Sequence, residues 1–261
     1  MIFIPLSVYH FPLMNFIMKS KFLKILIPTV FWCLVWQVLA RIVSNDYFLP
    51  DIKATASALF TLLSTVSFYK AVIFSLFRVV IGLCVGVIVG VILAIISNKS
   101  EFVLNLISPI ISVIKSTPVA TFIVLLWVVL SGDMLSIFIG FLMVMPIIWQ
   151  NLLDGYSAVD KELSELCDVY EFSYKKKLKL LIFPTLKRFF APALITSLGL
   201  CWKAEIAAEI IAYTKNSIGQ GINDAKYFMD TPTVFAWTVI IILFSICLEK
   251  GTKLVLRRLN I

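Results

Sequence analysis

The chain has 261 residues, 61% of them hydrophobic and only 15% charged, with a mean hydropathy of +1.00. A soluble domain of this length needs far more charge to cover its surface, so that class is excluded and the bilayer is the expected solvent. The formal net charge of +8 fits cytoplasmic loops facing anionic lipid heads, and with no basic stripe interleaved with aromatics it does not point to nucleic acid as a partner.

The five cysteines (Cys33, Cys84, Cys167, Cys201, Cys247) are odd in number and scattered, and four sit inside apolar runs. They read as small packing residues, not as a disulfide frame or metal site. The one histidine, His10, has no partners for a ligand set. No metal and no bound cofactor are expected.

Near the N-terminus, Met18-Lys-Ser-Lys reads as a natural beginning, with Met1 and Met14 as the other starts. Lys19, Lys21 and Lys24 before an apolar run resemble a signal peptide. However, the run from Phe22 to Val43 is about 22 residues, long enough to span, and no small-residue cleavage site follows it. It is predicted as an uncleaved first transmembrane helix, 22–43.

Leu49-Pro50-Asp51 ends that segment and offers Asp51 as a helix cap. Ile52, Ala56, Leu59 and Leu63 recur at helical spacing, which predicts a short amphipathic helix at the membrane surface. The second span, 71–97, carries Gly82, Gly86, Gly90 and Ala94 at four-residue intervals. Small residues at that spacing line one helix face and let another backbone approach closely. Residues 102–131 are interrupted by Pro109 and by Lys115-Ser116-Thr117-Pro118. Neither half alone reaches the ~20 residues a span needs, so one kinked span is expected. The fourth span is 134–152, with Pro146 near its inner end, the fifth 189–213 and the sixth 233–249. A loop at 214–232 lies between the last two.

The expected fold is therefore all-α, a single polytopic domain over residues 1–261 with six transmembrane helices. Six spans put both termini on one side of the membrane. That side also holds 15 of the 23 Lys and Arg residues, against five on the other (Arg41, Lys53, Lys70, Lys215, Lys226). The positive-inside rule makes it cytoplasmic.

The stretch 154–188 is the one long polar segment, with six acidic residues and seven basic ones. Leu163, Leu166 and Tyr170 recur at three and four residues, which predicts an amphipathic helix with acids on its other face. Ser173 is placed to cap a second helix bearing Lys175, Lys176, Lys177 and Lys179. Pro184 marks its end or an elbow into the fifth span. Two short helices meeting at an angle form a protruding knob, and a solvated loop obeying the positive-inside rule is the plainer alternative.

The segment Glu165-Leu-Cys-Asp-Val-Tyr-Glu-Phe-Ser through Leu181-Ile-Phe-Pro184 resembles the EAA motif of permease subunits of binding-protein-dependent ABC importers. In that motif Glu-Ala-Ala is followed after three residues by Gly, after nine more by Ile, and after one more by Leu-Pro. Glu165, Leu181 and Phe183-Pro184 stand at the family's spacing. Leu166 and Cys167 replace the alanines, and Glu171 replaces the glycine. A non-glycine residue there either strains a positive-φ turn by roughly 1 kcal/mol or changes its geometry. Leu49-Pro50, the Gly-rich second span, Lys115-Ser-Thr-Pro118, Trp202 with Ala207-Ala-Glu209, and the Gly219-containing loop resemble the nitrate, sulfonate and taurine branch.

The resemblance implies the fold of a type I ABC importer permease. It makes the 154–188 loop a coupling element, with Glu165, Asp168, Glu171, Phe172, Ser173 and Pro184 meeting a cytoplasmic ATPase. It further implies a second permease copy, an extracytoplasmic substrate-binding protein and a bacterial plasma-membrane location. The chain has no Gly-x-x-x-x-Gly-Lys-Ser/Thr sequence to cradle phosphates, so ATP is expected to be used by the partner subunit. The family serves nitrate, sulfonates, taurine and thiamine-precursor pyrimidines.

Arg78, Lys115, Lys203, Glu205 and Glu209 fall within predicted spans, where each charge is costly and a functional candidate. At about 1.5 Å per residue all five come out at similar depth, in the outer half of a shared cavity. Trp202, Glu205 and Glu209 share one helix face, and Lys203 points away from it. Two readings stay open. Either these charges are interhelical salt bridges that set packing, or Lys115 or Lys203 adds positive field to an anion's path while Arg78 and a glutamate neutralise each other. Trp127 and Trp202 read as packing or gate-lining groups. Two other functions compete with the importer subunit, namely an ATP-independent secondary transporter or channel and a membrane-embedded enzyme. The second is weak, since no Ser/His, Cys/His or metal-ligand constellation exists.

Overall fold

The computed structural model describes residues 21–45 and 47–258, and these residues are helical with no strand among them. Met14, Met18, His10 and Lys19 lie outside the described residues. The helices are α1 (Lys21–Val43), α2 (Ile52–Leu63), α3 (Val66–Lys99), α4 (Glu101–Ser116), α5 (Val119–Trp127), α6 (Asp133–Ser157), α7 (Lys161–Val169), α8 (Tyr174–Lys177), α9 (Phe183–Ile211), α10 (Ile218–Tyr227) and α11 (Thr231–Arg258). A π-helical segment, Leu178–Ile182, joins α8 to α9.

Four helices (α1, α3, α6 and α11) are long and apolar enough to cross a membrane, and the bent pair α4 and α5 makes a fifth when counted as one span. With α9, which has 29 residues and three charges in its second half, the arrangement is compatible with six crossings. The bundle has two ends. The loop end carries the turn between α3 and α4 and the whole of 158–182. The far end carries α2, Gly132 and α10.

The centre is a three-helix sandwich of α3, α6 and α9. The face of α3 that carries Gly82, Gly86, Gly90 and Ala94 is buried and lies on α6. A Cβ on Gly86 would come 2.6 Å from the Val144 Cβ, and one on Gly90 would come 2.9 Å from the Met145 carbonyl. Without side chains at these positions the two backbones pack at a distance no other residue allows. Branched groups such as Val144 and Ile148 fill the groove instead, and both are fully buried. The periphery is lipid-like: α1 is almost wholly exposed along its apolar length. It is held at its end by the Trp36 indole, which donates to the Pro50 carbonyl at 3.1 Å, and by Gln37, which accepts from the Ile52 amide at 3.2 Å.

Local signals explain most helix starts. Asp51 accepts from the Ala54 amide at 2.6 Å and so caps α2. Ser100 ends α3 and caps α4 through the Val103 amide. The predicted kink over 102–131 is sharper than expected: α4 and α5 meet at 100°. Pro109 stays inside α4, and the break falls at Thr117-Pro118. Proline disfavours helical geometry in the residue before it, and Thr117 is extended at ψ 132°. The stretch 214–232, expected as a loop, contains α10. Ser217 caps it through the Gln220 amide at 2.9 Å, and Ile218 and Ala225 are buried.

Candidate functional site

The 158–182 segment forms a knob of two short helices. Asp160 caps α7 by accepting from the Leu163 amide at 3.2 Å. The helix then ends in a reversed turn. The Phe172 amide donates to the Cys167 carbonyl at 2.9 Å and the Glu171 amide to the Asp168 carbonyl at 3.1 Å. That pair of bonds defines a Schellman ending, whose left-handed position normally takes glycine. Glu171 occupies it, at φ +50°. The residue is therefore strained, and the turn keeps its geometry.

Ser173 sits at the expected cap position, but its side chain makes no capping bond. Its carbonyl accepts from the Lys176 and Lys177 amides instead. Nor does Pro184 make an elbow. The chain runs helically from Tyr174 into α9, and the π segment absorbs the proline: the Phe183 amide reaches back to the Leu178 carbonyl, one residue further than in an α-helix. Lys177 lies 2.8 Å from Asp168 and clasps the two helices together, and Lys176 stands 3.8 Å over the Phe172 ring. Leu163, Leu166, Tyr170, Phe172 and Leu181 line a shallow apolar cleft of about 220 Å³ between α7 and the π segment. Glu165, Asp168 and Glu171 are exposed, the first two on the face of α7 turned away from the cleft. An apolar cleft on a protruding element that also exposes acidic side chains suits a docking face.

Inside the bundle, Arg78 of α3 is 3% exposed. Its Nη1 lies 2.9 Å from Glu209 Oε1 and its Nη2 2.7 Å from Asp133, and Nη2 also donates to the Lys215 carbonyl at 3.1 Å. The second oxygen of Glu209 accepts from Ser75 Oγ at 2.8 Å and from the Gly219 amide at 3.3 Å. Ser75 Oγ in turn accepts from the Ile218 amide. One network thus ties α3, α6, α9 and the start of α10 at the far end. Asp133 and Ser75 were not singled out by sequence reasoning, because each looks like an ordinary turn or helix residue until the helices meet. Gly219 has a second role here: a Cβ would collide with the Glu209 backbone.

Glu205, one turn from Glu209, does not join this network. It is fully buried between Gly82 and Gly140, either of whose side chains would overlap its carboxyl group. Its Oε1 accepts from Cys201 Sγ at 3.4 Å, and its Oε2 has no partner among the described residues. Trp202 is also fully buried, its indole donating to the Ile241 carbonyl at 3.2 Å, which makes it a packing residue of α9 against α11.

The shared cavity of five charges is not formed. Lys203 and Lys115 are both exposed, away from Arg78. Lys115 borders a separate concavity with Trp149 and Gln150, toward the loop end. The physical reason is that α4 packs beside the loop-end part of α6, where Trp149 bonds Ser97 at the end of α3, so Lys115 is held there and not near Arg78. Among the described residues no group of three or more His, Cys, Asp or Glu is arranged to hold a metal ion.

A helical membrane bundle with a clasped helical knob at one end and a buried ion-pair network at the other has the architecture of a transport permease. The family model described as the binding-protein-dependent transport system inner membrane component matches residues 86–261, and the chain belongs to that family. A putative ABC transporter permease protein of Methanocaldococcus jannaschii is 26% identical over 90% of both chains. The taurine transport system permease protein TauC of Escherichia coli is 24% identical over 86% of this chain and 84% of its own. The putative aliphatic sulfonates transport permease protein SsuC of Bacillus subtilis is 27% identical over 43% of this chain and 40% of its own. The crystal structure of an amino acid ABC transporter with histidines superposes with a TM-score of 0.62, covering 74% of this chain and 94% of that one, at 17% identity. The chain shares its fold. The chain is thus a multi-pass membrane permease of the ABC importer family and not an enzyme. Membership sets aside the secondary transporter, the channel and the membrane-embedded enzyme. Members of this family work with ATPase and substrate-binding partners.

Proposed function

We propose that this chain is one of two identical permease subunits whose pathway opens alternately as two cytoplasmic ATPase subunits close and separate. In this reading the loop end is cytoplasmic, as its lysine excess favours, and the far end meets the substrate-binding protein. The knob is the coupling element. Its apolar cleft between α7 and the π segment, on a helix whose other face exposes Glu165 and Asp168, is the observation that carries the reading. The continuous helix from Tyr174 to Ile211 then passes a push on the knob directly into the bundle core.

The transported substrate is a small anion, a sulfonate, taurine or nitrate. The names of the relatives TauC and SsuC and the two exposed lysines within the spans support this choice. Lys115 and Lys203 supply positive field to the path. Arg78, Glu205, Glu209 and Trp202 hold the helices that surround it.

The test is copurification and uptake. The chain should bring down a P-loop ATPase, and Glu165→Arg or Tyr170→Asp in the knob should release it while the permease still inserts. Retention of the ATPase by both variants would remove the knob from the coupling role.

A further inference from the structure

A second feature lies at the loop end, at the edge of the core where α4 meets α6. Ile111 and Ile114 bury one side of this helix. Asn105, Ser108, Ser112, Lys115 and Ser116 share the other, at intervals of three and four residues. With Trp149 and Gln150 of α6, the last four of these line a concavity of about 310 Å³.

The groups in it are arranged as donors. The Ser108 and Ser112 hydroxyls make no hydrogen bond to other described groups, and no carboxylate lies within ion-pair distance of Lys115 among the described residues. The Gln150 amide nitrogen gives one hydrogen to Asp154 at 3.0 Å, which leaves its second free. Trp149 is fixed by its bond to Ser97 Oγ at 3.0 Å and forms an apolar wall. Gln150 stands seven residues before the end of α6 at Ser157, about 10 Å from the loop end. The Arg78 and Asp133 pair lies at the other end of the bundle.

A lysine and three serines turned toward lipid would be costly, so this face borders water. An ammonium with no carboxylate beside it draws its counter-charge from whatever enters. We propose that Lys115, Ser108, Ser112 and Gln150 form a holding site for a singly charged oxyanion head group, with the Trp149 ring taking a short apolar tail. This rests on reading the chain as an anion importer subunit, and it gives the substrate a station on the side where it is released.

The test needs no knowledge of the natural substrate. In the complete transporter in nanodiscs, Ser112→Cys is treated with a sulfonate-bearing and with a trimethylammonium-bearing methanethiosulfonate. Labelling of residue 112 is read by peptide mass spectrometry, and each rate is normalised to that of a free thiol. The anionic reagent should win by on the order of tenfold, the factor one nearby unit charge supplies in a partly hydrated site, and Lys115→Met should bring the ratio close to one. Millimolar ethanesulfonate should slow the labelling, and nitrate in a parallel arm tells a bare oxyanion from one with a tail. A residue 112 that does not label, or a ratio that Lys115→Met leaves unchanged, overturns the site. ATP-driven uptake of ethanesulfonate and nitrate by the parent complex, with Ser112 intact, is measured alongside. Absent uptake with an intact labelling preference counts against the anion cargo and leaves the site standing.

Discussion

The Arg78 guanidinium and the Glu209 carboxylate meet at 2.9 Å although 131 residues separate them in the chain. Both are almost wholly buried, and each has further partners, Asp133 for the arginine and Ser75 for the glutamate. A buried pair adds little net stability when complete, but removing one member leaves an uncompensated charge.

Glu209→Ala should therefore destabilise the protein by about 3–5 kcal/mol, seen as a large fall in the thermal unfolding midpoint in detergent. Arg78→Met combined with Glu209→Met should recover much of that loss, because the pair is then replaced by apolar groups of similar volume. A double variant as unstable as the single would show that Asp133 and Ser75 depend on the charges themselves.

Gly140 and Glu205 form a steric pair, since a methyl at position 140 would occupy the place of the carboxyl group. Gly140→Ala should cost about 1–3 kcal/mol through overpacking. Glu205→Ala vacates the space, so the double variant should be more stable than the two single losses predict by at least about 0.5 kcal/mol. Strict additivity in a double-mutant cycle would mean that the carboxyl group is not where the structure places it.

Gly86→Val tests the helix sandwich. Its branched side chain would strike Val144 across α3 and α6, and both backbones are held by neighbouring glycine contacts. A loss of about 1–3 kcal/mol or more is expected, visible as reduced membrane accumulation. Gly251→Val, where an added side chain meets open space, is the control and should accumulate as the parent does.

Glu171→Gly should stabilise the knob by roughly 1 kcal/mol, since glycine takes φ +50° without the Cβ penalty. Hydrogen exchange of the Glu171 and Phe172 amides reports this directly, and slower exchange is the expected outcome. Faster exchange would mean that the glutamate makes a favourable contact outweighing its backbone strain.

Much of the architecture is legible in the residues because it depends on short-range rules. The glycine face of α3 follows from one spacing repeated along one helix. The cap at Asp51 follows from a side chain reaching an amide three residues ahead. The position of the break at Pro118 follows from proline chemistry, although its 100° angle does not. Ser173 misled for a related reason: it has the residue type and position of a cap, but the clasp of Lys177 on Asp168 and the Schellman turn already order that corner.

The amino-acid sequence by itself determined the solvent, the all-helical class, the packing face of α3 and the place where a strained turn would fall. Only the tertiary structure decided which glutamate neutralises Arg78. Glu205 and Glu209 are the same residue type on the same face of one helix, a single turn apart. That turn is about 6 Å along the axis, enough to separate a 2.9 Å ion pair from no contact at all. The choice rests on the axial register of α3 against α9, a sum over the packing of the whole sandwich that no local pattern encodes. Tertiary packing likewise sets Lys115 beside Trp149 and Gln150 near the loop end, at the opposite end of the bundle from Arg78.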